Sequence, residues 1–209
     1  MSSFDERART WDDESKAERA RVVGAAIRHA VPLDSSTRLL EYGAGTGLVT
    51  QELADRVGSV TLADSSTGMR QRMEEKVAAG SLPADARVWD LDLTTDSPPQ
   101  ERFDLIVTVM VLHHVSGLGP VLSGFAAMLE EGGHLCVVDL EEEGGDFHRG
   151  HNDFHGHDGF AHEDLAERLQ AAGFDDVRFE PCHEVDKDGQ TFPLFLAVAR
   201  PAHRDHTPS

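Results

Sequence analysis

The feature that most constrains the fold is a glycine-rich turn that directly follows a short apolar strand. Residues 38–42 (RLLEY) have the buried, extended character of a strand, and the next five residues are GAGTG. Glycines let the backbone turn tightly and let a ligand approach without an intervening side chain. Helical spacing resumes at Leu48. A strand, a glycine turn and a helix in this order predict a parallel α/β sheet with a ligand crevice at the carboxyl ends of its strands.

The rest of the chain alternates between strand and helix patterns. Strands are predicted at residues 38–42, 59–64, 87–91, 103–109, 134–140, 177–185 and 194–199. Helices are predicted at residues 5–31, 48–57, 66–80, 120–129 and 163–172. This alternation predicts an α/β fold with a doubly wound, mostly parallel, seven-stranded sheet. The last two strands have no helix between them and predict an antiparallel C-terminal hairpin.

We expect a single domain over residues 1–209, because no linker or internal repeat divides the chain. It comprises an N-terminal helix (1–31), an α/β core (32–201) and a polar tail (202–209). The two cysteines do not suggest a disulfide framework, and the first, Cys136, lies in an apolar run and is expected in the core.

The charge of the chain disfavours several classes of partner. With 38 acidic and 19 basic residues, the formal net charge is −19. A field of this sign repels nucleic acid and anionic lipid at long range. No apolar run approaches the about 20 residues that span a bilayer, and the charged N-terminus has no signal-peptide core. We therefore expect a cytoplasmic protein that binds neither nucleic acid nor membrane, with the acidity serving solubility or life in a salty cytoplasm.

The spacing of the glycines separates two kinds of nucleotide site. A dinucleotide fingerprint reads G-x-G-x-x-G. Counted from Gly43, its third glycine would fall at position 48, where this chain has Leu48. The spacing here is G-x-G-x-G, which serves a pyrophosphate at the helix N-terminus less well. This disfavours a nicotinamide-dependent oxidoreductase.

Acidic residues follow the next two predicted strands. Asp64 ends the second strand, where its carboxylate can accept hydrogen bonds from the vicinal hydroxyls of a ribose. Asp92 comes just after the third strand and can accept from an adenine amino group, while the backbone N–H of Leu93 donates to a ring nitrogen. Asp90 competes with Asp92 for this role. Together these positions predict a nucleoside site that has no phosphate cradle.

These motifs resemble those of the class I S-adenosylmethionine-dependent methyltransferases that act on small molecules and have a Rossmann-like fold. Their glycine motif is similar to residues 40–47 (LEYGAGTG), their fourth-strand motif to residues 103–115, and their turn into the fifth strand to residues 129–135 (LEEGGHL). Residues 4–12 resemble the N-terminal helix that closes over the cofactor in that family. The resemblance implies S-adenosylmethionine as the cofactor, held by Trp11, Glu41, Gly43, Ala44, Gly45, Asp64, Ser65, Met69, Asp92, Leu93 and Met110.

Two departures from the family pattern bear on contacts and acceptor. Many members carry Asp or Val where this chain has Tyr42. The asparagine-proline-proline-aromatic motif of amino-methylating DNA and protein enzymes is absent after the fourth strand, where residues 108–111 read TVMV. This argues against methylation of adenine or glutamine nitrogen. We expect methyl transfer to a small-molecule acceptor at O, N, S or C. The alternatives are a non-catalytic protein that binds the same cofactor and a nicotinamide-dependent oxidoreductase, and no oligomeric state is predicted.

Histidines are concentrated where the acceptor is expected. The chain has twelve, and five lie within residues 148–162, after the fifth predicted strand. This segment is interpreted as a metal site, as a substrate-binding lid with a histidine general base, or as a solvated loop without chemistry. Its spacing matches no strong metal signature, so no metal is predicted. His113 and His114 end the fourth predicted strand. No catalytic residue follows from the sequence, and the candidates are His114 and His148.

Overall fold

The computed structural model describes residue 5, residues 7–149 and residues 155–202 of the chain. Its strands are β1 (Arg38–Tyr42), β2 (Ser59–Ala63), β3 (Arg87–Trp89), β4 (Phe103–Val109), β5 (Leu129–Leu140), β6 (Phe174–Lys187) and β7 (Gln190–Pro201). Its helices are α1 (Glu14–Ala30), α2 (Leu48–Leu53), α3 (Thr67–Ala78), α4 (Leu118–Met128) and α5 (His162–Ala171). Short 3₁₀ turns lie at Ala8–Thr10 and Leu112–His114.

The strands form one seven-stranded sheet in the order β3-β2-β1-β4-β5-β7-β6. Neighbouring strands from β3 to β5 are parallel, whereas β7 is antiparallel to both β5 and β6. The predicted fold, including its C-terminal hairpin, is confirmed. Strand order reverses between β1 and β4, and in such sheets ligands bind outside the carboxyl ends of the strands at this point.

Both faces of the sheet are covered, which explains the apolar character of its central strands. Leu40 and Ile106 point to the face that packs against α4 and α5. Leu39 and Cys136 point to the opposite face, which packs against α1, α2 and α3. Cys136 is a free, fully buried thiol, as predicted. In the described part of the chain, no helix combines the length and apolarity needed to cross a bilayer.

The single helix predicted over residues 5–31 is wrong in its N-terminal part. The chain forms a 3₁₀ turn at Ala8–Thr10, and α1 begins only at Glu14. Asp13 has an extended backbone, and its carboxylate accepts a hydrogen bond from the Lys16 backbone N–H at 2.8 Å. This is an N-cap, which starts a new helix and separates it from the preceding turn. The apolar periodicity continues across this break, so it did not reveal where the helix begins.

Other element boundaries differ from prediction through long-range pairing and local backbone geometry. β6 and β7 extend beyond the predicted 177–185 and 194–199 because they pair with each other along almost their whole length. Met110 has a positive φ of 57° and follows the last residue of β4. The prediction that His113 and His114 end the fourth strand is therefore wrong. Both residues lie in the 3₁₀ turn beyond it.

A buried carboxylate joins β1 to α2 across the glycine turn. The Glu41 Oε2 atom accepts hydrogen bonds from the Thr50 backbone N–H at 3.0 Å and from the Thr50 hydroxyl at 2.5 Å. Burial raises the pKa of Glu41 to about 7, although the two bonds from Thr50 act to lower it. The end of β1 and the first turn of α2 are thereby fixed relative to each other, and with them the backbone that connects the two elements.

We expect Glu41→Gln to flatten the pH dependence of stability. The folded-state pKa of Glu41, about 7, lies above the ordinary value of 4.5. Its contribution to stability is therefore fully present below the unfolded pKa and is lost as pH rises through the folded pKa. A shift of this size corresponds to roughly 3 kcal/mol. Urea denaturation between pH 4.5 and 7 should show a smaller decline for this variant than for wild type. The exposed Glu18→Gln variant serves as control, and parallel curves for wild type and Glu41→Gln would contradict the prediction.

Candidate functional site

The glycine turn adopts a conformation that side chains disfavour. Gly43, Gly45 and Gly47 have φ values of 67°, 57° and 78°. A Cβ atom on Gly43 would lie 2.4 Å from a methyl carbon of Val111, and one on Gly45 would lie 3.4 Å from the Trp11 indole nitrogen. The turn therefore lies between the N-terminal segment and the segment that follows β4, and glycine is required where it meets Val111.

Polar contacts fasten the N-terminal segment to this turn and to the start of α3. The Asp12 carboxylate accepts a hydrogen bond from the Thr46 hydroxyl and forms an ion pair with Lys76 at 2.7 Å. The Asp5 carboxylate accepts a hydrogen bond from the Ser66 hydroxyl at 2.6 Å. Residues on both sides of Trp11 in the sequence, Asp5 and Asp12, are thus fastened, and the Trp11 indole is held beside the glycine turn. This placement agrees with a segment that covers a ligand, and the role of lid stays a prediction.

Asp64 lies at the carboxyl end of β2, beside the glycine turn. One of its carboxylate oxygens accepts a hydrogen bond from the Gly45 N–H at 2.8 Å, and the other accepts from the Ser66 N–H at 2.8 Å. Burial raises the pKa of Asp64, while these two backbone bonds act to lower it. Each oxygen of a carboxylate can accept a second hydrogen bond. Asp64 is therefore oriented at the position predicted for ribose binding.

The segment after β3 is already engaged by internal hydrogen bonds. The Leu93 N–H donates to the Tyr42 hydroxyl at 3.1 Å, and burial raises the pKa of that hydroxyl to about 12. The Asp92 carboxylate accepts hydrogen bonds from the N–H and hydroxyl of Thr94 at 3.0 and 2.6 Å. Asp90 is exposed and forms an ion pair with α3. Tyr42, one departure from the family pattern, thus occupies the donor that was predicted to contact adenine.

The remaining predicted cofactor residues lie around the same strand ends. The Ala44 N–H donates to the Ala63 carbonyl at 3.0 Å, which ties the glycine turn to β2. Ser65 is exposed, and Met69 is buried in the first turn of α3. Met110, with its positive φ, follows β4. The structure brings these residues together at one edge of the sheet, and their contacts to a cofactor stay predictions.

On the other side of Val111, a histidine is paired with a fully buried carboxylate. The His113 Nδ1 atom lies 2.5 Å from Asp139 Oδ1, and both side chains are 1% exposed. The other Asp139 oxygen accepts from the His113 backbone N–H at 3.3 Å, and the Leu140 N–H donates to Oδ1 at 2.8 Å. These bonds fix the position and the ring orientation of His113.

The two candidate catalytic histidines lie next to this pair. The His113 ring centre is 4.1 Å from that of His114 and 5.2 Å from that of His148, and His114 and His148 are 5.2 Å apart. Burial, helped by the two neighbouring imidazoles, lowers the pKa of His114 to about 3. His114 is therefore neutral at physiological pH. We refer to His113, His114 and His148 as the histidine cluster.

The histidine-rich segment after β5 folds back onto this cluster. The His157 N–H donates to the His113 carbonyl at 2.7 Å. The Phe147 ring packs edge-on against Phe192 of β7, with ring centres 5.1 Å apart. His155 is exposed, and residues 150–154 lie outside the described part of the chain. The segment is thus attached to the fold through Phe147 and through His157. The His148 ring lies next to the rings of His113 and His114.

Two residues beside the cluster were not found by sequence reasoning. Asp139 sits in the apolar run LCVVDL of β5, where a lone carboxylate at a strand end is the signal that was available. Arg19 of α1 is partly buried, which lowers its pKa, while the charges of Asp13 and Asp139 raise it. No hydrogen-bond partner for the Arg19 guanidinium is found among the described residues. In the sequence, Arg19 looks like an ordinary surface residue of a charged helix. Only the folded structure shows that it is partly buried.

The site therefore has two adjacent halves with different chemistry. One half offers a glycine backbone that side chains would obstruct, a carboxylate beside it and an indole above it. These groups fit a nucleoside cofactor such as S-adenosylmethionine, because the carboxylate can accept from ribose hydroxyls and the turn admits close approach. The other half offers imidazole nitrogens, which accept or donate protons near neutral pH or bind metal ions. Such a pairing can align a cofactor with a second reactant.

The sequence matches a family described as "Methyltransferase domain" over residues 15–178. An uncharacterized methyltransferase of Schizosaccharomyces pombe is 30% identical over 120 residues, which cover 54% of this chain and 42% of that protein. The chain spans less than half the length of the first curated relatives it matches. The family match sets aside the nicotinamide-dependent oxidoreductase.

Solved structures show the same fold at low sequence identity. The methyltransferase in a complex with the Haloferax volcanii Trm112 methyltransferase activator has a TM-score of 0.80 and 16% identity, covering 97% of this chain and 99% of that one. N-methyltransferase NodS from Bradyrhizobium japonicum, bound to S-adenosyl-L-homocysteine, has a TM-score of 0.69 and 20% identity, covering 92% and 90%. The chain belongs to the methyltransferase-domain family.

Proposed function

We propose that this enzyme methylates a small-molecule acceptor that binds between the glycine turn and the histidine cluster. The observation that carries the proposal is the position of Val111. Its side chain fills the space that a Gly43 side chain would need, and Val111 directly precedes the turn that holds His113 and His114. The two halves of the site are therefore immediate neighbours. The net charge of −19 supports a small acceptor over a nucleic acid.

The cofactor supplies an electrophilic methyl group, so the protein has to bind both reactants, align them and, for acidic acceptors, take up a proton. In our proposal Asp64 and the glycine turn hold the nucleoside, and Trp11 covers it. The neutral His114 imidazole is a hydrogen-bond partner for the acceptor, since with a pKa of about 3 it is a weak base. His148 contacts the acceptor from the segment after β5. Asp139 acts indirectly, since it orients His113.

We further propose that the acceptor carries an acidic group. Two guanidinium groups act on the region of the histidine cluster: Arg19 is within electrostatic range of Asp139, and Arg7 is within range of His114. A partly buried arginine has lost part of its hydration shell. A carboxylate, phenolate or similar anion can take the place of the lost water, because its oxygens match the donors of the guanidinium fork. The cofactor's sulfonium adds a third positive charge nearby.

Asp64→Ala should weaken the binding of S-adenosylmethionine roughly 10- to 150-fold, or about 1.5–3 kcal/mol, because it removes hydrogen bonds to a charged acceptor. Isothermal titration measures the affinity directly, and circular dichroism shows whether the variant is folded. Asp85→Ala, which removes an exposed carboxylate in the loop before β3, is the matched control. Unchanged affinity in folded Asp64→Ala protein would rule out the proposed ribose contact.

Trp11→Ala should weaken cofactor binding about tenfold, or ~1.4 kcal/mol, if the N-terminal segment acts as a lid. The indole lies against Gly45, so its loss uncovers the glycine turn while leaving the cap and helix α1 intact. Arg9→Ala, which changes an exposed residue of the 3₁₀ turn that precedes Trp11, should bind as wild type does. Equal affinities for Trp11→Ala and wild type would show that the segment does not cover the cofactor.

The acceptor class is testable by measuring S-adenosylhomocysteine release across a panel of phenols, thiols, amines and carboxylates. We expect turnover with acceptors that bear an acidic group. With the best of them, Arg19→Met should raise KM about tenfold, or ~1.4 kcal/mol, while Arg21→Met, exposed on the same helix, should not. Turnover confined to neutral acceptors, or an unchanged KM in Arg19→Met, would refute the acidic acceptor. Methylation of protein or RNA alone would refute the small-molecule acceptor.

A further inference from the structure

Three imidazoles from two separate segments of the chain converge beside the proposed acceptor site. His113 and His114 come from the turn after β4, and His148 comes from the segment after β5. One nitrogen of each ring lies within 4.8 Å of the others, as is required of groups that hold a metal ion. The sequence predicted no metal, because the spacing within the histidine-rich segment matches no strong metal signature. The fold supplies two of the three ligands from elsewhere.

His113 has the environment of a metal-ligating histidine. Its Nδ1 is bonded to Asp139, so its Nε2 is the nitrogen that is left for a ligand. That Nε2 atom is buried and has no hydrogen-bond partner among the residues that the structure describes. Leaving a buried polar atom unpaired is costly, and a metal ion would satisfy it. A carboxylate on the far nitrogen is also what fixes the ring and raises ligand basicity in metal sites.

The spacing of the cluster is compatible with coordination after small side-chain rotations. Zinc–imidazole bonds of about 2.0–2.1 Å place the ligand nitrogens of a tetrahedral site roughly 3.3 Å apart. The nitrogens here lie within 4.8 Å of one another, so closure requires movements on the order of 1 Å. The inner member, His113, is buried and held by Asp139, whereas His148 is partly buried and His114 is exposed.

We propose that His113, His114 and His148 bind one divalent first-row transition ion, with Asp139 as the outer partner of His113. Neutral imidazole ligands select ions of this class over magnesium or calcium. Three protein ligands leave a coordination position open, as in catalytic zinc sites. This site goes beyond the proposed function, because binding of the ion requires neither the cofactor nor the acceptor. When the ion is bound, His114 and His148 are ligands, and the acceptor contacts the ion instead of these two rings.

The charges around the cluster bear on what fills the open position. Asp139 offsets part of the ion's charge, whereas Arg7 and Arg19 add positive charge to the same region. A hydroxide or an anionic oxygen in the open position would offset part of the positive charge that remains. The ion and the two guanidinium groups would therefore select the same kind of acceptor.

The test is direct metal binding to the full chain after treatment with a chelator. Equilibrium dialysis with Zn²⁺ should show one ion per chain, and Co²⁺ should give the visible absorption of a nitrogen-ligated ion. His114→Ala and His148→Ala should each lose at least tenfold in Zn²⁺ affinity, and Asp139→Asn should lose about 10- to 100-fold. His29→Ala, exposed on α1, should bind as wild type does.

Circular dichroism and S-adenosylmethionine titration of the same samples separate loss of the metal site from loss of the fold or of the cofactor site. A folded wild-type chain that binds the cofactor but no stoichiometric ion would overturn the metal site and leave methyl transfer standing. Equal Zn²⁺ affinity in wild type, His114→Ala and His148→Ala would also overturn it, because the ion would then be bound elsewhere.

Discussion

The close approach of Gly43 to Val111 is the constraint on which the arrangement of the site depends. Because no Cβ separates them, the turn after β1 and the turn after β4 share one surface at the point where the order of strands reverses. Any side chain at position 43 would push them apart. The glycine turn and the turn that holds His113 and His114 are therefore not independent loops that happen to be close. They are positioned against each other by adjacent strands in the centre of the sheet.

The second constraint is the burial of Asp139 near the carboxyl end of β5. A carboxylate without exposure is tolerated only when hydrogen bonds replace its hydration. Here the bonds come from the adjacent backbone, from the His113 backbone and from the His113 ring. The 3₁₀ turn after β4 thus supplies the partners that the strand next to it requires. This explains why the turn lies over β5, and why one histidine of the cluster is rigid while the other two are less enclosed.

The sequence predicted the parts of this structure that depend on local patterns. The bounds of β1 were predicted to the residue, because a glycine turn ends this strand. The strand predicted at residues 103–109 matches β4, but the expectation that His113 and His114 end it was wrong. The break before α1 was missed because the Asp13 cap interrupts the backbone but not the apolar period. Asp64 and the glycines were found because they follow strands directly. Asp139, Arg19 and the convergence of His148 depend on packing between distant segments, which no local pattern encodes.

The N-terminal segment and the histidine side of the site differ in the contacts that attach them to the rest of the fold. The N-terminal segment is fastened by a few hydroxyl–carboxylate bonds and by the ion pair between Asp12 and Lys76, which is partly exposed and worth about 1 kcal/mol or less. The histidine side rests on a fully buried carboxylate and on aromatic packing of Phe147 against β7. Elements held by few buried contacts open at low cost. We therefore expect the N-terminal segment to open more readily than the histidine side. If it covers the cofactor as proposed, this is the side on which the cofactor enters and leaves.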